Sequence, residues 1–138
     1  YIYYVSEDKV VIIRADSPEN AEKVSEIDYN NEKFSPFEIY VNNNHLVVIG
    51  NMNEEITVMN TIEDTGTNDM LKAPEYKCGM IIYDVSDKLS PKETRRIEIE
   101  GRYLSSRMIE DSIYLVANKY IYCSGIIKNG IEDVNEND

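Results

Sequence analysis

The stretch Ile-Ile-Tyr-Asp-Val-Ser-Asp at residues 81–87 repeats the pattern of an earlier stretch, Val-Ile-Ile-Arg-Ala-Asp-Ser at residues 11–17, either in this register or shifted by one residue. Both are apolar runs that end in a short Asp/Ser turn, and a proline-containing loop follows each of them. An alternating segment comes next in both cases, at 24–29 and at 97–100. Because alternation of apolar and polar residues is typical of half-buried strands, the recurrence predicts a repeated unit of short β-strands.

A second pattern, in which two apolar strands flank a polar tip, occurs three times along the chain. Val10 and Leu46, which begin the second strand of the first two pairs, are 36 residues apart, and Leu46 and Ile113 are 67 residues apart. A unit of roughly 40 residues with four strands has the size of a β-propeller blade, if a long insertion accounts for the larger spacing. A meander or a sandwich, whose short strands recur every ~8–12 residues, remains open from the pattern alone. The three pairs are Ile2–Val5 with Val10–Ile13, Ile39–Val41 with Leu46–Ile49, and Met108–Ile109 with Ile113–Val116.

The composition also favours strands, since the chain has eleven tyrosines, two phenylalanines and no tryptophan. Tyr, Ile and Val fit pleated, half-buried surfaces, and no segment has a sustained helical stripe with capping residues at its ends. We therefore predict an all-β fold of antiparallel four-stranded sheets, a partial β-propeller of about two blades plus part of a third.

The predicted blade fragment spans residues 1–127. Within it, residues 51–78 are acidic and lack sustained periodicity. They indicate a long surface insertion, because loops beyond ~12–15 residues are uncommon inside compact domains. Residues 128–138 are polar and acidic, and we expect them to form a disordered tail. Since the chain opens directly on a strand-like run, Tyr-Ile-Tyr-Tyr-Val, we also expect it to be a fragment of a longer protein.

The net charge of −12 argues against nucleic acid as a partner, because nucleic-acid binding needs a basic surface. It argues equally against electrostatic docking to anionic lipid. No apolar run reaches the ~18–20 residues that a membrane-spanning helix needs, so we predict no membrane insertion in this segment. No signal-peptide pattern occurs in these residues.

The run Tyr-Leu-Ser-Ser-Arg-Met-Ile at residues 103–109 is the most specific of several motifs outside the insertion and the tail. The other motifs are residues 1–5, 46–50, 83–87, 91–92 and 114–122. Together they resemble the secreted bacterial family that has a carboxy-terminal β-propeller domain of the methanol dehydrogenase type. The resemblance implies a secreted or cell-surface protein and brings no activity with it. It implies no quinone cofactor, because the chain has no tryptophan or vicinal cysteine pair to stack on one. We predict no cofactor, with calcium left open.

Asp84 and Asp87 flank the end of a predicted strand and are the candidate metal ligands, because carboxylate oxygens suit calcium. Alternatively, each carboxylate caps the turn by accepting hydrogen bonds from backbone N–H groups. His45, the only histidine, lies in a polar hairpin tip. It is interpreted either as a general base or metal ligand, or as an exposed turn residue. Arg107 interrupts an apolar strand. We expect a buried guanidinium there that pairs with an acidic neighbour between blades or binds a ligand carboxylate.

No Ser-His-Asp set, phosphate-binding glycine loop or HExxH motif occurs. Cys78 and Cys123 belong to no CxxC pair, and whether they are bonded stays open. The favoured interpretation is a non-catalytic, extracellular or cell-surface β-propeller module that binds an unknown protein or glycan, with exposed tyrosines as one means of stacking on the ligand. The alternative is a carboxylate-based hydrolase or lyase, with or without calcium, whose site lies in the full propeller. A propeller fragment exposes strand edges, which predicts a homodimer through those edges.

Overall fold

The computed structural model describes residues 1–52 and 76–119. These residues form nine β-strands and one turn of 3₁₀-helix at Pro18–Asn20. The all-β prediction is therefore confirmed. No helix in this part of the chain is long and apolar enough to cross a membrane. In chain order the strands are β1 (Ile2–Ser6), β2 (Lys9–Arg14), β3 (Glu22–Asp28), β4 (Phe34–Asn42), β5 (His45–Met52), β6 (Lys77–Asp84), β7 (Lys92–Glu100), β8 (Arg102–Ile109) and β9 (Ser112–Asn118).

The strands form three antiparallel sheets in which each strand pairs with its neighbour along the chain. The first sheet has the order β1-β2-β3, the second β4-β5-β6-β7 and the third β8-β9. Antiparallel neighbours can be joined by very short turns. Two such turns use left-handed backbone, at Asn43 between β4 and β5 (φ 51°) and at Glu110 between β8 and β9 (φ 53°). The second sheet is a complete four-stranded blade, and the three sheets together fit a partial propeller.

The two central strands of the second sheet, β5 and β6, are buried on both faces, which explains the uninterrupted apolar run in β5. Leu46 and Val48 belong to a cluster shared with the first sheet, whereas Val47 and Ile49 belong to a cluster shared with the third sheet. One short strand serves two cores because successive side chains point to opposite faces. We call the face that a sheet turns toward the preceding sheet its leading face, and the opposite face its trailing face.

The junction between the first and second sheets holds the larger of these two clusters. Val10 and Ile12 on the trailing face of β2 are fully buried against the leading face of the second sheet. The ring of Phe34 lies beside Gly50 and Gly79, which are paired across β5 and β6. A Cβ atom at Gly50 would lie 2.6 Å from this ring, so the glycine leaves the space that Phe34 fills.

β-bulges show which strands of the first two sheets are equivalent. The pairing of β2 with β3 shifts register just after Ile12, and the pairing of β6 with β7 shifts just after Ile82. The first sheet therefore matches strands β5, β6 and β7 of the second. In this match residues 11–17 lie over residues 81–87 without the one-residue shift that the sequence left open.

The third sheet matches the beginning of the second by the same criterion. The pairing of β4 with β5 shifts after Pro36, and that of β8 with β9 shifts after Tyr103. Leu46 and Ile113 are therefore equivalent, as their spacing predicts. The prediction that Val10 and Leu46 are equivalent is wrong, because β2 matches β6 rather than β5. The reason is physical: every apolar hairpin has the same local pattern, whichever two strands of a blade it joins.

The predicted insertion at 51–78 is too wide at both ends. β5 continues through Met52 and β6 begins at Lys77. Residues 53–75 lie outside the described residues. So do residues 120–138, which include Cys123 and the predicted tail at 128–138. Cys78 is a free, buried thiol, and burial raises its pKa.

Candidate functional site

Asp84 and Asp87, the predicted calcium ligands, lie at the turn that follows β6. Oδ1 of Asp84 accepts hydrogen bonds from the backbone N–H and the hydroxyl of Ser86, at 2.8 and 2.6 Å. Oδ1 of Asp87 accepts a bond of 3.0 Å from the N–H of Leu89. The hydrogen bonds from Ser86 lower the pKa of Asp84. Both carboxylates thus cap this turn, as the alternative interpretation expects.

Calcium binding at this turn stays a prediction. The part of the chain that the structure describes contains no group of three or more His, Cys, Asp or Glu side chains placed to hold a metal ion. Calcium takes six to eight oxygen ligands, so two turn carboxylates alone would supply only part of a coordination shell.

His45 is the first residue of β5 and directly follows the turn formed by Asn43 and Asn44. It is exposed, and its partner across the sheet is Asp84. Its charge adds to the lowering of the pKa of Asp84, but less than the hydrogen bonds from Ser86 do. This position corresponds to the exposed turn residue of the sequence interpretation.

Arg107 lies in β8, opposite Tyr114 of β9, and is exposed on the trailing face of the third sheet. The expectation of a buried guanidinium is wrong. None of the ion pairs within the described residues involves Arg107. The apolar neighbours in sequence are misleading, because Met108 lies on the leading face and side chains alternate between faces.

A carboxylate that no sequence pattern singles out lies between the second and third sheets. Glu38 of β4 follows the bulge in that strand. Its Oε1 accepts a hydrogen bond of 3.0 Å from the hydroxyl of Tyr40. Its Oε2 accepts one of 3.0 Å from Ser106 and another from the hydroxyl of Tyr103, both in β8. The hydroxyl oxygens of Tyr40 and Tyr103 each lie 2.9 Å from Oγ of Ser106. We call these four residues the Glu38 cluster.

The electrostatics of the Glu38 cluster favour a charged carboxylate and neutral phenols. The hydrogen bond from Tyr103 is the main cause that lowers the pKa of Glu38, and the bonds from Ser106 and Tyr40 act in the same direction. Burial, followed by the bond to Glu38, raises the pKa of Tyr103. Three hydroxyl groups of the chain itself donate hydrogen bonds to the carboxylate of Glu38. The arrangement is therefore suited to connecting the second and third sheets.

A second polar group supports the junction between the first and second sheets. The hydroxyl of Tyr29 donates a hydrogen bond of 3.0 Å to the hydroxyl of Tyr83, and burial raises the pKa of both. Arg96 of β7 is paired at 2.8 Å with Glu93 and at 2.8 Å with Glu32, which lies between β3 and β4. These contacts hold the connection between the two sheets in place.

An open cleft of about 410 Å³ lies between the first sheet and the turn after β6, and Asp87 lines it. Three basic residues line it: Arg14 is paired with Glu22, Lys23 is paired with Glu26 at 3.1 Å, and Nζ of Lys88 donates a hydrogen bond to the backbone carbonyl of Val85. Exposed ion pairs of this kind contribute little stability and leave little net charge to attract an anion.

Four of the ten exposed large apolar side chains among the described residues lie as two pairs on the two sheet faces that have no neighbouring sheet in this part of the chain. On the leading face of the first sheet, Ile2 and Tyr4 are 52% and 56% exposed. On the trailing face of the third sheet, Tyr114 and Val116 are 58% and 51% exposed. The equivalent positions of the second sheet are buried. They are Leu46 and Val48 at 0%, and Val47 and Ile49 at 7% and 0%.

A family model described as a beta propeller domain matches residues 1–138. No curated protein and no solved structure matches the chain.

Proposed function

Because the chain belongs to the β-propeller domain family, we propose that it is a non-catalytic interaction module whose binding surfaces are the faces of its first and third sheets that no other described sheet covers. The observation that supports this proposal is the exposure of Ile2, Tyr4, Tyr114 and Val116, whose equivalents in the second sheet are buried. Contiguous exposed apolar patches mark interaction surfaces more often than isolated apolar residues do.

The energetic argument is the gain from covering these faces. Burying one large apolar side chain contributes roughly 1.5–3 kcal/mol, and each face presents two that are about half exposed. A flat sheet face also fits another sheet, because sheets pack face to face about 10 Å apart. We favour a protein partner with a β-sheet over a glycan, since the aliphatic Ile2 and Val116 offer no hydrogen bond to sugar hydroxyls.

We further propose that the module acts outside the cell or at its surface. The support is the resemblance of residues 103–109 and the accompanying motifs to the secreted bacterial family. The alternative of a carboxylate-based hydrolase or lyase has no specific observation in its favour. Glu38, Asp84 and Asp87 all accept hydrogen bonds from the chain itself.

A hydrophobic dye tests whether the two faces are available for binding. Anilinonaphthalene sulfonate should bind the dilute chain, and its fluorescence should fall in the double variant Tyr114→Ser/Val116→Ser while the melting temperature changes little. Leu89→Ser is the matched control, because Leu89 is 73% exposed in the turn after β6 and lies on neither face. Its fluorescence should equal that of the wild type. A monomeric chain that binds no dye would contradict the proposal.

A further inference from the structure

We propose that Phe37, Glu38 and Tyr103 form a binding site for an arginine side chain of a partner protein. The inference goes beyond the proposed function, because it uses neither the leading face of the first sheet nor the trailing face of the third. The site lies in β4 and β8, where the second sheet meets the third. The first and third sheets flank β4 on its two faces, so the site lies inside the described chain and not at either end of it.

The bulge in β4 brings two adjacent side chains to the same side of the second sheet. The pairing with β5 passes from Pro36 to Glu38 and leaves Phe37 as the extra residue. In a regular strand Phe37 and Glu38 would lie on opposite faces. Here both contact Tyr103 of β8: the ring of Phe37 lies 4.7 Å from the ring of Tyr103, and Glu38 accepts a hydrogen bond from its hydroxyl. The bulge therefore places an aromatic ring next to a carboxylate.

No basic side chain neutralises the charge of Glu38 within the part of the chain that the structure describes. Its three hydrogen-bond donors are neutral hydroxyl groups. At the first junction, by contrast, Arg96 is paired with both Glu93 and Glu32. The hydrogen bonds, mainly the one from Tyr103, lower the pKa of Glu38, so its carboxylate is charged at neutral pH. The site therefore presents a negative charge that a cationic group can match.

The carboxylate of Glu38 has the capacity to accept a further hydrogen bond. An ionised carboxylate offers about four acceptor positions, two on each oxygen. Oε2 accepts the hydrogen bonds from Tyr103 and Ser106, whereas Oε1 accepts only the one from Tyr40. Oε1 can therefore accept one more, and a charged N–H donor would form the strongest such bond.

The ring of Phe37 adds a surface on which a cation can stack. Phe37 is 38% exposed, whereas Phe34, three residues earlier in β4, is 2% exposed. Aromatic faces attract cations, and arginine is found over them more often than lysine. A guanidinium is planar, so it can lie flat on the ring and still donate an N–H to a neighbouring carboxylate. These properties favour arginine over lysine as the group bound.

The equivalent place in the third sheet lacks the acidic residue. The bulge in β8 lies between Tyr103 and Ser105, which makes Leu104 equivalent to Phe37 and Ser105 equivalent to Glu38. The same backbone feature there carries neither a carboxylate nor an aromatic ring. The proposed site is therefore a property of the second sheet and not of every sheet that has this bulge.

NMR of the ring carbons of phenylalanine tests the site directly, because the chain has only two phenylalanines. Phe37 reports on the site, Phe34 is the buried internal control, and Phe37→Leu identifies which signals belong to which ring. The chain labelled with carbon-13 phenylalanine is titrated with N-acetyl-arginine methylamide. N-acetyl-citrulline methylamide has nearly the same shape without the charge and is the control ligand. Glu38→Gln removes the charge of the site, and Glu7→Gln removes one exposed charge in the turn between β1 and β2.

We expect the arginine compound to shift the Phe37 signals saturably, with a dissociation constant on the order of 1 mM, and to leave the Phe34 signals in place. Glu38→Gln should weaken binding at least about tenfold, because a hydrogen bond to a charged group is lost. Glu7→Gln should bind as the wild type does. The lysine analogue should bind more weakly, since an ammonium group does not stack flat on a ring.

Three results would overturn the inference. They are Phe37 signals that arginine does not move, equal shifts with the citrulline compound, and a folded Glu38→Gln variant that binds as tightly as the wild type. Equal binding of the lysine analogue would overturn the assignment to arginine. Circular dichroism checks folding, and if Glu38→Gln unfolds, the comparison of arginine with citrulline on the wild type still decides the question.

Discussion

At the first junction Ile39 packs beside an apolar cluster, whereas at the equivalent place in the second junction Ser106 donates a hydrogen bond to Glu38. Nine buried residues form the cluster of the first junction, against three for the second within the described chain. The first junction therefore depends mainly on burial and the second more on hydrogen bonds to a charge. The same leading-face position therefore carries Ile at the apolar junction and Ser at the hydrogen-bonded one.

The largest difference should come from shortening equivalent apolar residues at the two junctions. Leu46→Ala removes a fully buried side chain and should cost roughly 2–5 kcal/mol of unfolding free energy. Ile113→Ala changes the equivalent residue, which is only partly buried, and should cost about 1–2 kcal/mol. Urea unfolding measures both values. Equal losses would contradict the idea that burial stabilises the first junction more strongly.

Removing polar contacts should destabilise the second junction more than the first. Glu38→Gln weakens hydrogen bonds to a charged carboxylate and should cost roughly 1–2 kcal/mol. A double-mutant cycle with Tyr103→Phe should give a larger coupling than the cycle of Tyr29→Phe with Tyr83→Phe, because neutral hydrogen bonds are weaker. Additive effects at Glu38 and Tyr103 would show that the Glu38 cluster does not connect the two sheets.

Acid and alkali should cause smaller losses of stability, which single variants at each junction trace to particular residues. The lowered pKa of Glu38 means that its contribution is complete at neutral pH and is lost as the pH falls below ~4. The raised pKa values of Tyr29 and Tyr83 mean that the contribution of these tyrosines to stability is complete below pH ~10 and is lost above it. Melting temperatures should fall less steeply in acid for Glu38→Gln, and less steeply in alkali for Tyr83→Phe. Unchanged slopes in both variants would contradict these assignments.

The smallest effect is expected at the turn after β6, which lies outside both junctions. Asp84→Asn weakens the bonds to Ser86 and should lower the melting temperature slightly, because the turn is exposed. Calcium should leave the melting temperature of the wild type unchanged if capping is the role of Asp84 and Asp87. A calcium-dependent rise of several degrees that Asp84→Asn abolishes would instead support the calcium site.

Much of the fold can be predicted from short stretches of sequence. The alternation at 97–100 and the apolar run at 46–49 both lie within strands of the structure. Which strands of successive sheets are equivalent is harder to predict. The hairpins at β1–β2 and β4–β5 have the same local pattern, and only the positions of the bulges show that they join different strands of a blade. The exposure of Arg107 is harder still, since it depends on whether another sheet covers one face of β8.

The sequence by itself determined where the strands and turns lie, because period-two alternation and turn residues act between neighbours in the chain. The tertiary structure alone decided which side chains meet. Tyr103 and Glu38 are 65 residues apart, and nothing near either residue specifies the other. Their contact exists because two separately formed sheets stack face to face, and the same stacking decides which apolar faces are buried and which remain available for a partner.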